Sequence, residues 1–261
     1  MSGHFPKSNW TSLLKFLDVI GTRFSGGLPN SIGGLKFFED LNVEGTGELP
    51  DSIGNLVSLK SLYLTGSFAG SIPASIGNLT QITDIHLSDQ NFIGELPFSL
   101  GKLEHLTSLT LDLSYVDLNN NKLHGPIPRS HFGLVHLTGL ILSSNNMAGI
   151  LDLEMISEFK ELSDFGLSYN SLSLSLPSSN ENFSFPMFTY LSLSSCNLRE
   201  IPTFLKDSKF LQHLDLSSSK IQGPLPDCFW GLGEASLTYL NLSHNFLTSF
   251  QGFPWQRLSI L

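Results

Sequence analysis

The chain has 261 residues, of which 41% are hydrophobic and 14% are charged, and its net charge is −9. This content is ample for a core, and the length favours one elongated unit over several globular domains. The acidic balance and the lack of a basic run argue against a nucleic acid or an anionic membrane as partner. The sequence contains no run of about 18 apolar residues, the length that a membrane span needs.

A dipeptide of Leu or Ile followed by Pro recurs along the chain. Its copies begin at Leu28, Leu49, Ile72, Leu96, Ile127, Ile201 and Leu225. Most copies follow a second pattern, L-x-L-x-x-N-x-L-x-G, which is clearest around Leu118 and Asn121. A period of about 24 residues is typical of a leucine-rich repeat solenoid. We therefore predict an α/β solenoid, a right-handed superhelix of about ten repeats with a parallel sheet on its concave face.

The predicted repeats form one solenoid over residues 1–261, without caps, a transmembrane segment or a kinase domain. In chain order they begin near Leu14, Phe38, Leu56, Leu79, Leu103, Leu134, Phe159, Phe188, Leu211 and Leu237. The spacing is irregular near 38–50, 103–128 and 151–187. Residues 111–115 resemble a second, near-duplicate strand core before residues 116–118. An irregular loop is expected over 171–182, which is rich in Ser and Asn.

Each repeat should supply one L-x-L strand whose two apolar residues face the core and whose middle residue faces outward. A polar residue after the strand can satisfy backbone groups at the turn, where buried amides and carbonyls need partners. Asn fills this position at 121, 145, 170 and 245, and the replacements are Thr22, Ser67, Gln90, Cys196 and Ser219. The Gly of L-x-G, at 26, 70, 94, 125 and 223, should permit a turn that other residues resist.

Outward positions on the predicted strands are the candidate ligand-binding residues, because aromatic and polar side chains on a rigid sheet make good anchors. We assign to them Tyr63, His86, Asp89, Asp117, Asn119, Tyr169, His213, Asp215, Tyr239 and His244. A structural alternative stays open for part of this surface. Asp215 and the serines at 88, 143, 168, 194, 217 and 243 could simply satisfy neighbouring strands.

Other kinds of site receive less support from the sequence. Four N-x-S/T sequons, at Asn9, Asn78, Asn182 and Asn241, would mark glycosylation if the chain is secreted. Asn78 is the most plausible acceptor. Cys196 and Cys228 fall at different phases of successive repeats, and we expect both to be unpaired. We expect no metal site, no cofactor and no catalysis, since neither metal-ligand spacing nor a nucleophile or phosphate-loop motif is present.

The extended template, ending in I-P-x-x-I-G, resembles the plant-specific class of extracellular leucine-rich repeats over nearly the whole chain. Residues 191–202, 214–223 and 239–248 look like the middle of the large plant receptor-like proteins. The resemblance implies an extracellular ligand-binding segment of a plasma-membrane protein. The ligand would be a peptide, protein or glycan, the signalling partner a co-receptor kinase, and the role pathogen perception and defence.

Three alternatives to a receptor segment stay open. A soluble inhibitor similar to the plant polygalacturonase inhibitors would also have about ten repeats, but those proteins have Cys-bearing ends that this sequence does not match. A parallel β-helix enzyme is remote, because the L-x-x-N-x-L-x-G-x-I-P register is foreign to it. Because neither end looks capped, we also expect an internal piece of a longer protein or a truncated receptor gene product.

Overall fold

The computed structural model describes residues 4, 5, 7, 12–24, 26–105, 114–129, 134–175, 184–233 and 236–249. Its strands, all paired in parallel, are β1 Phe16–Asp18, β2 Asp40–Glu48, β3 Ser61–Ser71, β4 Asp84–His86, β5 Asn91–Gly94, β6 Tyr115–Asp117, β7 Lys122–Gly125, β8 Gly139–Ile141, β9 Asn146–Asp152, β10 Asp164–Gly166, β11 Ser171–Ser175, β12 Tyr190–Ser192, β13 His213–Asp215, β14 Gln222–Pro224, β15 Tyr239–Asn241 and β16 Phe246–Ser249. Its helices are short 3₁₀ segments at Asn30–Gly34, Asp51–Asn55, Ala74–Asn78, Phe98–His105, Leu153–Glu158, Thr203–Asp207 and Asp227–Gly231. The predicted leucine-rich repeat solenoid is confirmed, with 3₁₀ rather than α-helical outer segments among these residues.

The concave sheet is a ladder with one strand from each repeat. In spatial order it contains β1, β2, β3, β4, β6, β8, β10, β12, β13 and β15. From β2 onward, the middle residue of each three-residue register, such as Leu62, Ile85 or Leu214, is buried and pairs with its counterpart in the next repeat. Stacking thus removes from water a row of side chains that no single repeat could cover.

A second set of strands runs beside the first, after the turn that follows each concave strand. β2 and β3 are long enough to take part in both sets, and β3, β5, β7, β9 and β11 then pair in order. We call this set the lateral sheet. It contains Ser171–Ser175, so the irregular loop predicted over 171–182 was wrong for its first five residues. Residues 176–182 and the first three residues of the near-duplicate strand core lie outside the described residues, whereas its last residue, Tyr115, begins β6.

Among the described residues, the lateral sheet ends at β11, and β14 pairs with β16 in a separate two-stranded sheet. The repeat between them runs from Cys196 through Glu200, and it has no lateral strand among the described residues. Glu200 occupies the L-x-G position of this repeat. The predicted turn glycines at 26, 70, 94, 125 and 223 all have left-handed φ values, between 77° and 104°. Leu174 in β11 and Ser249 in β16 stand at the same position, so a missing glycine alone does not explain the interruption.

The asparagine turns join each repeat to the one before it. Asn145 Nδ2 donates to the carbonyls of Leu118 (2.9 Å) and Leu142 (3.1 Å), and its Oδ1 accepts from the Leu123 amide (3.0 Å). Equivalent bonds are made by Asn121, Asn170 and Asn245. The predicted role of this position is confirmed at these four turns.

Two successive turns depart from this arrangement. The Cys196 thiol lies 3.8 Å from the Leu167 carbonyl and 3.6 Å from the Ser194 carbonyl, which are weak contacts. Ser219 is buried, and its hydroxyl has no hydrogen-bond partner within the described part of the chain. The expectation that Ser219 replaces Asn as a bonding group was wrong, because its side chain is too short to reach both repeats.

The 3₁₀ helices explain the I-P-x-x-I-G element. At Asp51–Asn55 and Ala74–Asn78, Pro precedes the helix in extended conformation, and the buried Ile anchors the helix to the core. A Cβ on Gly54 would lie 2.2 Å from the Ser75 carbonyl oxygen, and one on Gly77 would lie 2.3 Å from that of Ser99. Glycine is present here because the backbone of the next repeat occupies the space of a side chain.

Candidate functional site

The concave sheet presents two rows of side chains outside its buried row. The first row, which precedes the buried residues, contains Phe16, Asp40, Ser61, Asp84, Tyr115, Gly139, Asp164, Tyr190, His213 and Tyr239. The second row, which follows them, contains Asp18, Asn42, Tyr63, His86, Asp117, Ile141, Gly166, Ser192, Asp215 and Asn241. Parallel strands lie about 4.8 Å apart, so neighbours in a row can touch.

The predicted site residues fall into two groups. Six lie on concave strands, namely Tyr63, His86, Asp117, His213, Asp215 and Tyr239. Four lie beyond the strand ends, namely Asp89, Asn119, Tyr169 and His244. Assigning these four to strands was wrong, because the chain leaves the sheet after the second leucine of L-x-L.

Three of these four share a strained backbone conformation. Asp89, Tyr169 and His244 have φ values of 58°, 57° and 56°, in the left-handed region. A non-glycine residue in this region is uncommon outside turns. All three side chains are exposed, at the edge of the concave face rather than on its strands.

An aromatic cluster lies on the first half of the face. The Tyr63 and His86 rings have centroids 5.3 Å apart, and the His86 and Tyr115 rings are also 5.3 Å apart and stacked within 20°. Tyr63 retains 41% exposure, so the cluster presents an open ring to solvent. Such contacts are worth about 0.5–1.5 kcal/mol each beyond the area that they bury.

A second aromatic group, which we call the C-terminal stack, crosses three successive strands. His213 lies between Tyr190, at 4.4 Å, and Tyr239, at 4.0 Å, with interplanar angles of 21° and 2°. Burial lowers the pKa of His213, and the nearby Asp215 carboxylate opposes this effect. Burial also raises the pKa of Tyr190. The stack therefore favours uncharged rings.

The two aromatic groups are separated at β8 and β10 by a site that we call the notch, which comprises Asp164, the glycines at 139 and 166, and the flanking rings of Tyr115 and Tyr190. Gly139 has no side chain, and the Tyr115 ring covers it so closely that a Cβ there would lie 2.2 Å from Tyr115 Cε2. Asp164 is the next residue in the first row, and Tyr190 follows it. Burial is the main cause that raises the pKa of Tyr115 to about 12, and the charges of Asp164 and then Asp117 add to it. One carboxylate thus lies between two tyrosines.

The charge on these two rows has one sign. Asp18, Asp40, Asp84, Asp117, Asp164 and Asp215 are the charged residues in them, and neither row contains Lys or Arg. Lys15 and Lys60 flank the rows but are paired with Glu39, at 2.5 and 2.7 Å. Hydrogen bonds from Lys15 and Lys60 lower the pKa of Glu39 to about 2. The face therefore carries negative potential without a neutralising partner in its own rows.

Serine and threonine hydroxyls around the rows are used within the sheet. Thr138 donates to the Ser114 carbonyl at 2.8 Å, and Thr238 donates to that of Gln212 at 3.0 Å. Ser168 and Ser192 are 2.6 Å apart at their hydroxyls, and Ser217 donates to Ser194 at 3.0 Å. These serines are buried, which favours the structural alternative for them. Asp215 is also 6% exposed, and its Oδ1 accepts from the Ser217 amide.

Sequence reasoning missed Tyr115, Asp164 and Tyr190. The only signal for them was their position immediately before the first leucine of a repeat, which His213 and Tyr239 share. Tyr115 was hidden by the irregular spacing of 103–128, where it looked like part of a duplicate strand. Asp164 lies within the irregular stretch 151–187 and Tyr190 follows it, so the repeat spacing did not locate them.

The remaining predicted sites have these positions. Asn78 is exposed at the end of an outer 3₁₀ helix, whereas Asn241 is half-buried on β15 and bonds to Ser243. Asn9 and Asn182 lie outside the described residues. Cys196 is a free, buried thiol, and burial raises its pKa to about 12.

Among the described residues, no three His, Cys, Asp or Glu side chains converge as metal ligands. None of the helices there is both long and apolar enough to cross a bilayer.

Family comparisons cover most of the chain. Residues 9–187 match the family described as a leucine-rich repeat region, and residues 186–247 match the leucine rich repeat family. Receptor like protein 22 of Arabidopsis thaliana is 39% identical over 140 residues, which are 54% of this chain and 18% of that protein. Receptor like protein 24 of the same plant is 35% identical over 56% of this chain and 16% of its own length. The chain thus spans less than a fifth of these relatives.

Solved structures share the architecture over a longer stretch. The plant peptide hormone receptor RGFR1, in complex with RGF2, has a TM-score of 0.76 and 30% identity, covering 91% of this chain and 37% of that one. The Arabidopsis receptor kinase HAESA, in complex with the peptide hormone IDA and the co-receptor SERK1, has a TM-score of 0.61 and 28% identity. That match covers 90% of this chain and 46% of HAESA.

Proposed function

Because the chain belongs to the leucine-rich repeat family, of the plant extracellular receptor-like kind, we propose that its concave face binds a peptide or protein ligand and performs no catalysis. The observation that carries this proposal is the pair of aromatic groups on the face, Tyr63–His86–Tyr115 and the C-terminal stack. Rigid aromatic side chains that keep an exposed edge are favourable anchors for a ligand. The peptide complexes of RGFR1 and HAESA add support from similar solenoids.

The shape of the face supports an extended ligand rather than a small compact one. The two aromatic groups lie on strands from β3 to β15, so one ligand that touches both must cross most of the ladder. A stiff sheet loses little conformational entropy on binding, which is the advantage of a preorganised surface. The ligand-binding assignments of Tyr63, His86, Asp89, Asp117, Asn119, Tyr169, His213, Asp215, Tyr239 and His244 stay part of this proposal.

Capture of natural ligands tests the proposal. The immobilised chain is exposed to peptides secreted by plant tissue and to peptides from fungal and bacterial cultures, and bound peptides are identified by mass spectrometry. A double variant, Tyr63→Ser with Tyr239→Ser, is compared with Ile93→Ser with Ile150→Ser. The two isoleucines are 50% and 80% exposed on lateral strands, so they control for exposed apolar area.

We expect the tyrosine variant to lose captured peptides that the isoleucine variant retains. Equal retention by both variants would contradict the concave site. Loss in the isoleucine variant alone would place binding on the lateral face instead.

We further propose that the parent protein is held at the plasma membrane, faces outward and signals through a co-receptor kinase in pathogen perception and defence. The likeness to receptor-like proteins supports this role, and the same capture experiment tests it. Peptides of microbial origin would support defence, whereas plant peptides alone would indicate a hormone receptor. Asn78 is proposed as a glycosylation acceptor, which enzymatic deglycosylation followed by mass spectrometry would detect.

A further inference from the structure

We propose that the notch around Asp164 binds a cationic side chain, arginine before lysine, of a basic peptide laid across the concave sheet. This inference rests on the proposed peptide-binding function and names the chemistry of its ligand. The notch comprises Asp164, the flanking rings of Tyr115 and Tyr190, and the glycines at 139 and 166.

The geometry of the notch suits a planar cation. Because Gly139 has no side chain, the Tyr115 ring lies over β8, between its own strand and Asp164 on β10, and Tyr190 follows Asp164 on the next strand. Tyr115 is held over Gly139, and Tyr190 is held by its stack with His213 at 4.4 Å. Rings that are already fixed in place offer faces or edges to a guanidinium without a further entropic cost.

Asp164 has acceptor capacity beyond its bond within the sheet. Within the described residues, the side chain that bonds its carboxylate is Thr189, whose hydroxyl donates to Oδ1 at 2.8 Å. A carboxylate has about four lone-pair positions on its two oxygens. The Asp164 side chain is half-buried, so a charge placed beside it is screened less than at an open surface.

The charge of the whole face selects the sign of the ligand. Six aspartates and no Lys or Arg occupy the two rows, and the nearby Lys15 and Lys60 are paired with Glu39. Complementary potential speeds encounter with a basic peptide and disfavours an acidic one. A bare metal ion fits less well, because no three potential ligand side chains converge among the described residues.

The test selects ligands without assuming their charge. The 261-residue chain is immobilised and panned with a phage-displayed library of random peptides of about 12 residues, and the enriched pool is sequenced. The most enriched peptide is then synthesised together with a counterpart in which every Arg and Lys is Gln. Their affinities are measured for the wild-type chain, for Asp164→Asn, and for Glu158→Gln, which removes an exposed charge from the outer helix Leu153–Glu158.

We expect enrichment of Arg and Lys over the input library, and about fivefold or greater loss of affinity in Asp164→Asn. Asparagine keeps an oxygen to accept from Thr189, so this variant should fold normally. Glu158→Gln should change the affinity less than twofold, and the Gln counterpart peptide should lose its dependence on Asp164.

Each other outcome has a definite meaning. Enriched peptides without Arg or Lys would overturn the cationic ligand and leave the peptide-binding function standing. Equal losses in Asp164→Asn and Glu158→Gln would overturn the notch, because binding would follow net charge. Failure to enrich any peptide over beads without protein would overturn both proposals.

Discussion

The repeats up to β11 and the repeats from Cys196 onward are joined by different contacts. In the first region, the asparagine turns at 121, 145 and 170, a continuous lateral sheet and close glycine contacts between outer helices connect neighbouring repeats. In the second region Cys196 and Ser219 replace Asn, the lateral sheet is interrupted, and Lys206 stands where earlier repeats have glycine. The same fold is thus maintained with weaker contacts on its lateral and outer sides.

The concave side compensates in the second region. There His213 stacks on two tyrosines, and buried serine hydroxyls bond from strand to strand. The concave strands of the second region thus keep contacts between repeats where the turns supply fewer. The C-terminal stack is therefore part of the scaffold as well as a candidate ligand anchor. Variants in it must be checked for stability before their binding is interpreted.

Removing an asparagine turn should have the largest effect. Asn145→Ala leaves the buried Leu123 amide without its acceptor, at about 1–3 kcal/mol, and removes one of the two side-chain donors from each of the Leu118 and Leu142 carbonyls, at about 0.5–1.5 kcal/mol each. We expect the free energy of unfolding in urea to fall by about 3 kcal/mol or more. Asn119→Ala, which removes a bond to Asp117, should cost less than about 1 kcal/mol. Similar losses in both variants would refute the special role of the turn.

The glycine contacts between outer helices are the next difference to test. Gly77→Ala puts a Cβ against the Ser99 carbonyl, and we expect a loss of about 1–3 kcal/mol from overpacking. Lys206→Ala alters the equivalent position of the second region and should stay within about 0.5 kcal/mol of the wild type. Thermal unfolding of both variants measures this. A tolerated Gly77→Ala would mean that the helices can separate without cost.

Restoring the turn should make the second region resemble the first. Cys196→Asn supplies an amide that can reach the Leu167 carbonyl, as Asn145 reaches Leu118, and we expect a gain of about 1 kcal/mol. Cys196→Ser is the matched control, since its hydroxyl is too short to join two repeats. If the serine variant gained as much, the benefit would come from polarity alone.

The smallest effect concerns the pH dependence of the C-terminal stack. The pKa of His213 is lowered from 6.5 by burial, so the folded chain binds this proton less readily than the unfolded chain. Its contribution is complete above pH 6.5 and declines as the pH falls below it, by less than about 1 kcal/mol because the ring is half-exposed. His213→Phe keeps the stack and should reduce the slope of melting temperature against pH. An unchanged slope would exclude His213 as its source.

The sequence predicted the repeat, the parallel concave sheet and the bonding role of asparagine, because each follows from a strict pattern. It failed where the pattern allows two geometries. Tyr169 and His244 have the polarity of exposed strand residues, yet their left-handed backbone turns them off the sheet. Ser219 resembles a hydrogen-bonding substitute, but reach rather than chemical type decides whether it can bond. The notch depends on the contact of Tyr115 with Gly139, which only three-dimensional register reveals.

The ten-stranded ladder of the concave face also limits which side chains of an extended ligand it can contact. Side chains on one face of an extended peptide recur about every 6.7 Å, whereas the strands beneath it recur about every 4.8 Å. The two spacings coincide about every seven strands. The side chains of a straight ligand are therefore aligned with those of the strands only at widely spaced points. On such a surface, a few widely spaced positions of the ligand are recognised strongly, and the residues between them are free to vary.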